Sequence, residues 1–160
     1  VNGEIHHVFG RAYPLQVLLG PRDEAGIASG GELQLILRTE QSEREKIFKE
    51  GMKRILLIEI AQLLQKWTKR MAIPESRITG VTIRVMKSRW GSCRRVTGRF
   101  SFALDLVTKP KECIEAVVVH ELCHLFAAGH GPDFYARMET YLPDYKERDR
   151  LLSSLPRELV

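Results

Sequence analysis

Several features are scarce or missing in this chain, and each absence removes a class of protein. No apolar run approaches the roughly 18 residues that cross a bilayer, and no segment has the charged head and apolar middle of a signal peptide. The three cysteines are odd in number and lack CxxC spacing. The sequence therefore argues against a membrane span and a disulfide framework, and it favours a cytoplasmic protein with reduced thiols and no membrane partner.

One stretch of the chain lacks acidic residues altogether. No Asp or Glu occurs from Ser76 to Leu104, where the basic residues are Arg77, Arg84, Lys87, Arg89, Arg94, Arg95 and Arg99. A patch of one sign attracts an anionic partner, such as nucleic acid, a nucleotide or an acidic polypeptide, although a solvated hairpin face would look the same. The candidate anion contacts are Lys87, Arg94, Arg95 and Arg99.

The length of 160 residues predicts one domain spanning residues 1–160, with a core that is stable without disulfides. The first residue is Val1 rather than methionine, so we expect that a preceding segment has been lost, together with any signal in it. We expect loose order in residues 1–10 and surface exposure of His6 and His7.

Apolar patterning predicts strands at residues 13–19, 33–37, 81–85 and 100–104. Gly, Pro and Ser are frequent between the first two strands, which predicts a loose connection there. The stretch between the last two strands, residues 87–98, is expected to be a loop that holds most of the basic residues.

A long helix is predicted from Ser42 to about residue 73, because apolar residues recur there at three- and four-residue steps. Ser42 and Glu45 have the pattern of a capping box, and Pro74 closes the segment. Gly51 is a candidate kink.

A second helix is predicted for residues 110–128. It is apolar around most of its circumference and should be buried against the sheet. Gly129 is placed to end it in a left-handed conformation, Pro132 begins a third helix and Pro143 a last one. The elements together predict an α+β fold, in which a small antiparallel or mixed sheet packs on the long helix and on the buried helix.

The buried helix carries His-Glu-Leu-Cys-His at residues 120–124. At 3.6 residues per turn, His120 and His124 lie roughly 40° apart on one face, so two imidazole nitrogens can converge on one metal ion. Glu121 lies about a quarter turn aside, where it ligates poorly but can accept a proton from a water on the metal. The pattern predicts one catalytic zinc per chain with Glu121 as general base.

His130 is the preferred third ligand. A tetrahedral ion has to be reached from a direction that the straight helix does not offer, and the turn at Gly129 provides it. Three histidines leave a position open, whereas purely structural zinc sites favour four ligands and cysteine. The remaining alternative is three unrelated histidines packed in the core.

Other residues compete for the same role. Cys123 points about 100° away from His124, so it is interpreted as a small packed residue. Glutamates stand at distances where some zinc enzymes have a third ligand, namely Glu139 and Glu147.

Four segments, in order, resemble the signatures of the YgjP-like zinc metallopeptidases, which are relatives of the SprT-like proteases. They are Met-Lys-Ser-Arg-Trp-Gly-Ser-Cys at 86–93, the helix segment 117–124, His-Gly-Pro-Asp-Phe-Tyr at 130–135 and Leu-Pro-Asp-Tyr at 142–145. The resemblance covers nearly the whole chain. It implies a zincin-like fold, a peptide or protein substrate, zinc on His120, His124 and His130, and Glu121 as the catalytic base.

The chain departs from that family in three respects. Family members more often have Asn where Gly129 stands and Trp where Tyr135 stands, and they usually have a longer N-terminal β-rich region, so this chain resembles a member trimmed at the front. The metzincin subclass is disfavoured, since it requires glycine at Ala127.

The segment around Trp90 permits two interpretations. Arg89 or Ser92 could contact the substrate or its transition state, or the segment could be a rigid turn anchored by Trp90. A peptide could add as a strand along an edge near residues 100–104. Two other functions stay open, a zinc-dependent nucleotide pyrophosphatase and a SprT-like DNA-associated protease or nucleic-acid-binding module.

Overall fold

The structure, a computed structural model, describes residues 1–157. Its first sheet contains β1 (Ile5–Val8), β2 (Arg11–Leu19), β3 (Glu24–Ile27) and β4 (Leu33–Leu37), in the spatial order β1-β2-β4-β3. The strands β2 and β4 pair in parallel, whereas β1 pairs antiparallel with β2 and β3 antiparallel with β4. Alternate leucines of β4 are buried in the core, as expected for a strand with one face covered.

The patterning correctly predicts β2 and β4 but not β1 and β3. Residues 1–10, for which loose order was expected, contain β1, and its histidines are half-buried rather than exposed. The His6 ring lies 4.5 Å from the Phe48 ring, and its Nε2 lies 3.0 Å from a Glu4 carboxylate oxygen. A strand this short and polar is specified by its pairing partner rather than by its own pattern.

The long helix α1 runs from Arg44 to Arg70 and confirms the predicted element. The predicted capping box is wrong, because Ser42 Oγ donates to Asp23 at 2.7 Å and no side chain caps the helix. Gly51 does not interrupt the helix. It lets β3 come close, since a Cβ at Gly51 would lie 2.3 Å from the carbonyl oxygen of Ala25.

A second sheet contains β5 (Gly80–Arg84), β6 (Gly91–Arg94) and β7 (Arg99–Ala103), in the order β5-β7-β6. The predicted strands β5 and β7 are confirmed and pair in parallel, and β6 pairs antiparallel with β7. The patterning missed β6 because Gly-Ser-Cys-Arg has no apolar alternation. Since β7 is paired on both sides, the peptide-binding edge expected near residues 100–104 is wrong, and β6 is an edge strand of this sheet.

Three helices follow, namely α2 (Lys111–Cys123), α3 (Pro132–Tyr141) and α4 (Tyr145–Ser154). The helix α2 is buried between α1 and the second sheet, as predicted, but it ends at His124 instead of residue 128. The helix α4 begins two residues after Pro143, where the sequence predicted its start. The α+β class is confirmed, with two small mixed sheets in place of one. Among the described residues, no helix combines the length and the apolarity needed to cross a membrane.

Candidate active site

Three histidines converge where α2 ends. His120 and His124 lie one turn apart, and His124 is the residue at which α2 stops, with φ −67° and ψ −14°. The chain then turns through Gly129, whose φ of +72° is left-handed as predicted, and brings His130 back over the helix. His130 Nε2 lies 3.2 Å from Nε2 of His120 and 3.1 Å from Nε2 of His124.

This geometry fits a zinc ion. Tetrahedral zinc with Zn–N bonds of about 2.0 to 2.1 Å separates its nitrogen ligands by about 3.3 Å, close to the two measured distances. One ligand atom from each histidine lies within 4.8 Å of the others, and in residues 1–157 no second group of metal-ligating side chains converges in this way. Three Nε2 atoms this close are held together either by a proton shared between two rings or by a metal ion that accepts the lone pairs of all three.

The residues around the cluster orient it. His124 Nδ1 lies 3.2 Å from the Ala127 carbonyl oxygen, and a proton on Nδ1 that is donated there leaves Nε2 free to ligate. Phe134, from α3, is 1% exposed, and its ring centroid lies 4.6 to 5.0 Å from those of all three histidines. Phe134 therefore forms an apolar wall of the site. Sequence reasoning assigned it only to a core stripe, although it stands in the first turn of the helix that follows His130.

Burial shifts the pKa values of His120 and Glu121, a candidate ligand and the candidate base. Burial, and then the charges of the other two histidines, lowers the pKa of His120 to about 4, so its nitrogen lone pair is available at neutral pH. Glu121 is 5% exposed, and burial raises its pKa to about 7, while the positive charge of Arg89 acts in the lowering direction. A carboxyl group with a pKa near neutrality can both take up and return a proton.

A cleft of about 750 Å³ opens over these groups. The residues on its β6 side are Arg89, Trp90, Gly91, Ser92, Cys93 and Arg95, and those from α4 are Asp149, Leu152 and Ser153. The three residues singled out by sequence, Arg89, Trp90 and Ser92, thus line the cleft. Gly91 and Cys93, on either side of Ser92, lie toward Glu121, so the alternation along β6 directs the Ser92 side chain to the other face of the strand.

Gly91 brings β6 close to α2. A Cβ there would lie 3.1 Å from Glu121 Cγ and 3.2 Å from a methyl group of Val117. Two residues further on, burial and then the charge of Glu121 raise the pKa of Cys93 to about 11, which keeps a neutral thiol beside the carboxylate. Sequence reasoning did not identify either position as part of the site.

The competing ligands lie outside the histidine group. Cys123 is fully buried, and burial raises the pKa of its thiol to about 12, in keeping with a packed residue. Glu139 and Glu147 are exposed on α3 and α4 and do not join the group of converging ligand atoms.

The basic residues divide into two sets. Arg89 and Arg95 line the cleft, whereas Lys87, Arg94 and Arg99 lie elsewhere on the surface. Arg94 and Arg99 are directly opposite each other in the β6 and β7 ladder. Within residues 1–157, no carboxylate forms an ion pair with any of these five side chains.

Comparison with solved structures supports the fold. The chain is similar to the metallopeptidase zymogen of Pyrococcus abyssi abylysin, with a TM-score of 0.53 and 22% identity over 63% of this chain and 99% of that chain. It is also similar to the metallopeptidase zymogen of Methanocaldococcus jannaschii jannalysin, with a TM-score of 0.53 and 21% identity over 61% of this chain and 91% of that chain. The comparison with curated proteins gave no significant match.

A family profile described as the YgjP-like metallopeptidase domain matches residues 1–155, and so includes both sheets, the cleft and the three converging histidines. The predicted resemblance and the predicted zincin-like fold are thereby confirmed. The chain belongs to the YgjP-like metallopeptidase family, and it is a zinc metallopeptidase of the His-Glu-x-x-His type.

Proposed function

We propose that the chain hydrolyses peptide bonds with one zinc ion held by His120, His124 and His130 and with Glu121 as general base. The convergence of three imidazole nitrogens beside a buried carboxyl group, at the floor of an open cleft, carries this proposal. When bound, zinc supplies a Lewis acid that polarises a carbonyl group and lowers the pKa of water to about 7.

The chain's own residues perform the proton transfers. Glu121 takes the proton of the attacking water and then delivers it to the leaving amine, and its buried carboxyl group lies in the same cleft as the histidines. The Ala127 carbonyl keeps the His124 ring in place, and the buried Phe134 ring excludes water beneath the histidines.

The exposed edge of β6 offers a place for the substrate. The outer side of an edge strand presents unpaired N–H and C=O groups, so an extended peptide can add to it as a further strand. The backbone at Ser92 would then hold the peptide over Glu121, and Trp90 would pack beside it. Arg89 lies where its charge acts on Glu121, which supports a role as a contact for the developing oxyanion.

A nucleotide pyrophosphatase is the competing activity, because Arg89 and Arg95 could hold phosphates in the cleft. We would assay the zinc-loaded protein in parallel on an unfolded protein and on nucleoside triphosphates. The proposal predicts proteolysis without nucleotide hydrolysis. Nucleotide hydrolysis that disappears in Glu121→Gln would favour the pyrophosphatase and contradict the proposal.

The unpaired basic residues support an additional anionic partner, as in a SprT-like DNA-associated protease. Arg94 and Arg99 repel each other across the ladder, and a bound phosphate chain would relieve that repulsion. Binding to DNA should weaken steeply with salt and should weaken further in an Arg94→Ala/Arg95→Ala variant. Binding that is insensitive to salt would rule this partner out.

The thiols support a reducing compartment, and we propose the cytoplasm as the place of action. All three cysteines are free. Burial raises the pKa of Cys113 to about 11 and that of Cys123 to about 12. Both side chains therefore stay protonated, and a protonated thiol reacts slowly with oxidants.

A further inference from the structure

Residues 155–157, which follow α4, lie across the segment that leads into β6. Arg157 Nε donates to a carboxylate oxygen of Asp105 at 3.0 Å. Its Nη2 donates to the Arg89 carbonyl oxygen at 2.8 Å and also to the carbonyl oxygen of Met86. The guanidinium carbon lies 4.0 Å from the ring centroid of Trp90. One side chain thus contacts both ends of the segment 86–90, which we call the rim loop.

Two buried charges fix this arrangement. Asp105 is 1% exposed, and among the described residues Arg157 is the only one that forms an ion pair with it. Lys109 is 3% exposed and donates to the carbonyl oxygen of Pro156. A buried charge needs polar partners, and the segment 155–157 supplies a guanidinium to Asp105 and a carbonyl oxygen to Lys109.

The rim loop supplies the β6 side of the cleft. Arg89 and Trp90 line the cleft, and Gly91, the next residue, packs against Glu121. The rim loop makes two of its backbone contacts through Arg157, and neither of the two carbonyl groups belongs to a strand. Trp90 is also held by the hydrogen bond from Ala103 N to its carbonyl oxygen at 2.9 Å, so it is the backbone from Met86 to Arg89 that depends on Arg157.

We infer that Arg157 is a positioning residue, which clamps the rim loop to Asp105 and thereby fixes Arg89 beside Glu121. This inference rests on the proposed peptidase function, but its structural part can be measured without activity. Arg157 stands at the end of the described residues, after the last helix, and nothing in its local pattern identifies it. Its role follows from its contacts.

The test compares Arg157→Ala and Arg157→Lys with Arg54→Ala as a control. Arg54, on α1, also donates from Nη2 to a backbone carbonyl oxygen, that of Ala25 at 3.0 Å, but it does not line the cleft. The first readout is hydrogen exchange in residues 86–93, and the second is kcat of the zinc-loaded enzyme. Lysine retains the charge opposite Asp105 but loses the planar fork that reaches two carbonyl groups.

In Arg157→Ala we expect exchange in residues 86–93 to rise at least about tenfold and kcat to fall roughly ten- to a hundredfold, with one zinc per chain retained. Arg157→Lys should recover part of the melting temperature while kcat stays low. Arg54→Ala should change neither the exchange of residues 86–93 nor kcat by more than about twofold.

Unchanged exchange in residues 86–93 of folded Arg157→Ala would overturn the clamp, and so would faster exchange with unchanged kcat. Full recovery of kcat in Arg157→Lys would also overturn it, since the charge alone would then suffice. If Arg157→Ala does not fold, the lysine variant decides. If the wild type cleaves no peptide, the peptidase proposal fails, and the exchange comparison still tests the clamp.

Discussion

Gly129 determines from which direction the third histidine reaches the other two. Its φ of +72° is a conformation that β-branched side chains avoid, and no neighbouring atom would lie within 4 Å of an added Cβ. The left-handed backbone conformation, and not a lack of space, therefore limits which residue types position 129 accepts. Asn, which family members more often have here, also tolerates the left-handed region, so this departure leaves the geometry of His130 unchanged.

Gly129→Val should lower the affinity for zinc by about tenfold or more, because valine strains the turn that places His130 beside the other two histidines. Gly129→Asn should retain zinc affinity within about threefold. Gly131→Val is the matched control, since Gly131 has equally open surroundings but an ordinary φ of −86°. Competitive titration with a zinc chelator gives all three affinities. Equal affinities for the Val and Asn variants at 129 would show that the turn does not determine ligand placement.

At the scale of the elements, a carboxylate joins three helices. Glu115 of α2 accepts hydrogen bonds from Lys66 at 2.6 Å and Trp67 at 3.0 Å, both on α1, and from Arg148 of α4 at 2.7 Å. Burial alone would raise its pKa, but these hydrogen bonds prevail and lower the pKa to about 2. The junction holds α2 in place and, with it, the histidines at its end.

Glu115→Gln should lower the free energy of unfolding by about 2 kcal/mol at pH 7, because a charged acceptor with three donors is lost. The pKa of Glu115 is lower in the folded state, so its stabilisation is complete above the unfolded pKa of about 4.5 and disappears as the pH falls toward 2. Urea unfolding of both proteins from pH 7 to pH 2 measures this difference.

Glu59→Gln is the matched control for that prediction. The Glu59 side chain is 14% exposed, as is that of Glu115, but among residues 1–157 its one ion pair is with the exposed Lys111 at 3.5 Å. Its loss should cost less than about 1 kcal/mol. The difference in the free energy of unfolding between the wild type and Glu115→Gln should shrink as the pH falls. A difference that stays constant between pH 7 and pH 2 would contradict the role assigned to the charge of Glu115.

The comparison of sequence with structure shows which elements local patterns specify. The helices α1 and α2 and the strands β4 and β7 carry their own apolar periodicity, and the sequence predicts them. The short polar strands β1, β3 and β6 have no such pattern, because their positions depend on pairing with neighbours distant in sequence. The edge available to a peptide could therefore not be identified before the sheet order was known.

In the candidate site, too, some features follow from the local sequence and others depend on tertiary packing. Helical spacing predicts that His120 and His124 share a face, and the glycine turn predicts the return to His130. The contacts of Phe134 and Arg157 with the site depend on tertiary packing, and no local pattern predicts them.

At the scale of the whole molecule, the core should be independent of the metal. The buried apolar residues extend through both sheets, α1 and α2, and the histidines lie at the end of α2 beside the open cleft. Zinc that binds only the folded protein adds about 4 kcal/mol at a thousand times its Kd. For a domain of this size, this predicts that chelation lowers the melting temperature by about 10 °C.

The far-UV circular dichroism at 25 °C should be unchanged after chelation, and readdition of zinc should restore the melting temperature. The His130→Ala variant should melt at nearly the same temperature with and without zinc. Loss of helical signal on chelation at 25 °C would mean that the fold requires the metal, contrary to the location of the core.

The most direct test of the account is the rate of peptide hydrolysis by Glu121→Gln at full zinc occupancy, compared with the wild type on the same unfolded substrate. Glutamine retains the shape of the side chain but cannot accept the proton, so we expect one zinc per chain in both proteins and a loss of about a thousandfold in kcat. Hydrolysis by fully zinc-loaded Glu121→Gln at the wild-type rate would contradict the assignment of Glu121 as the base and the mechanism built on it.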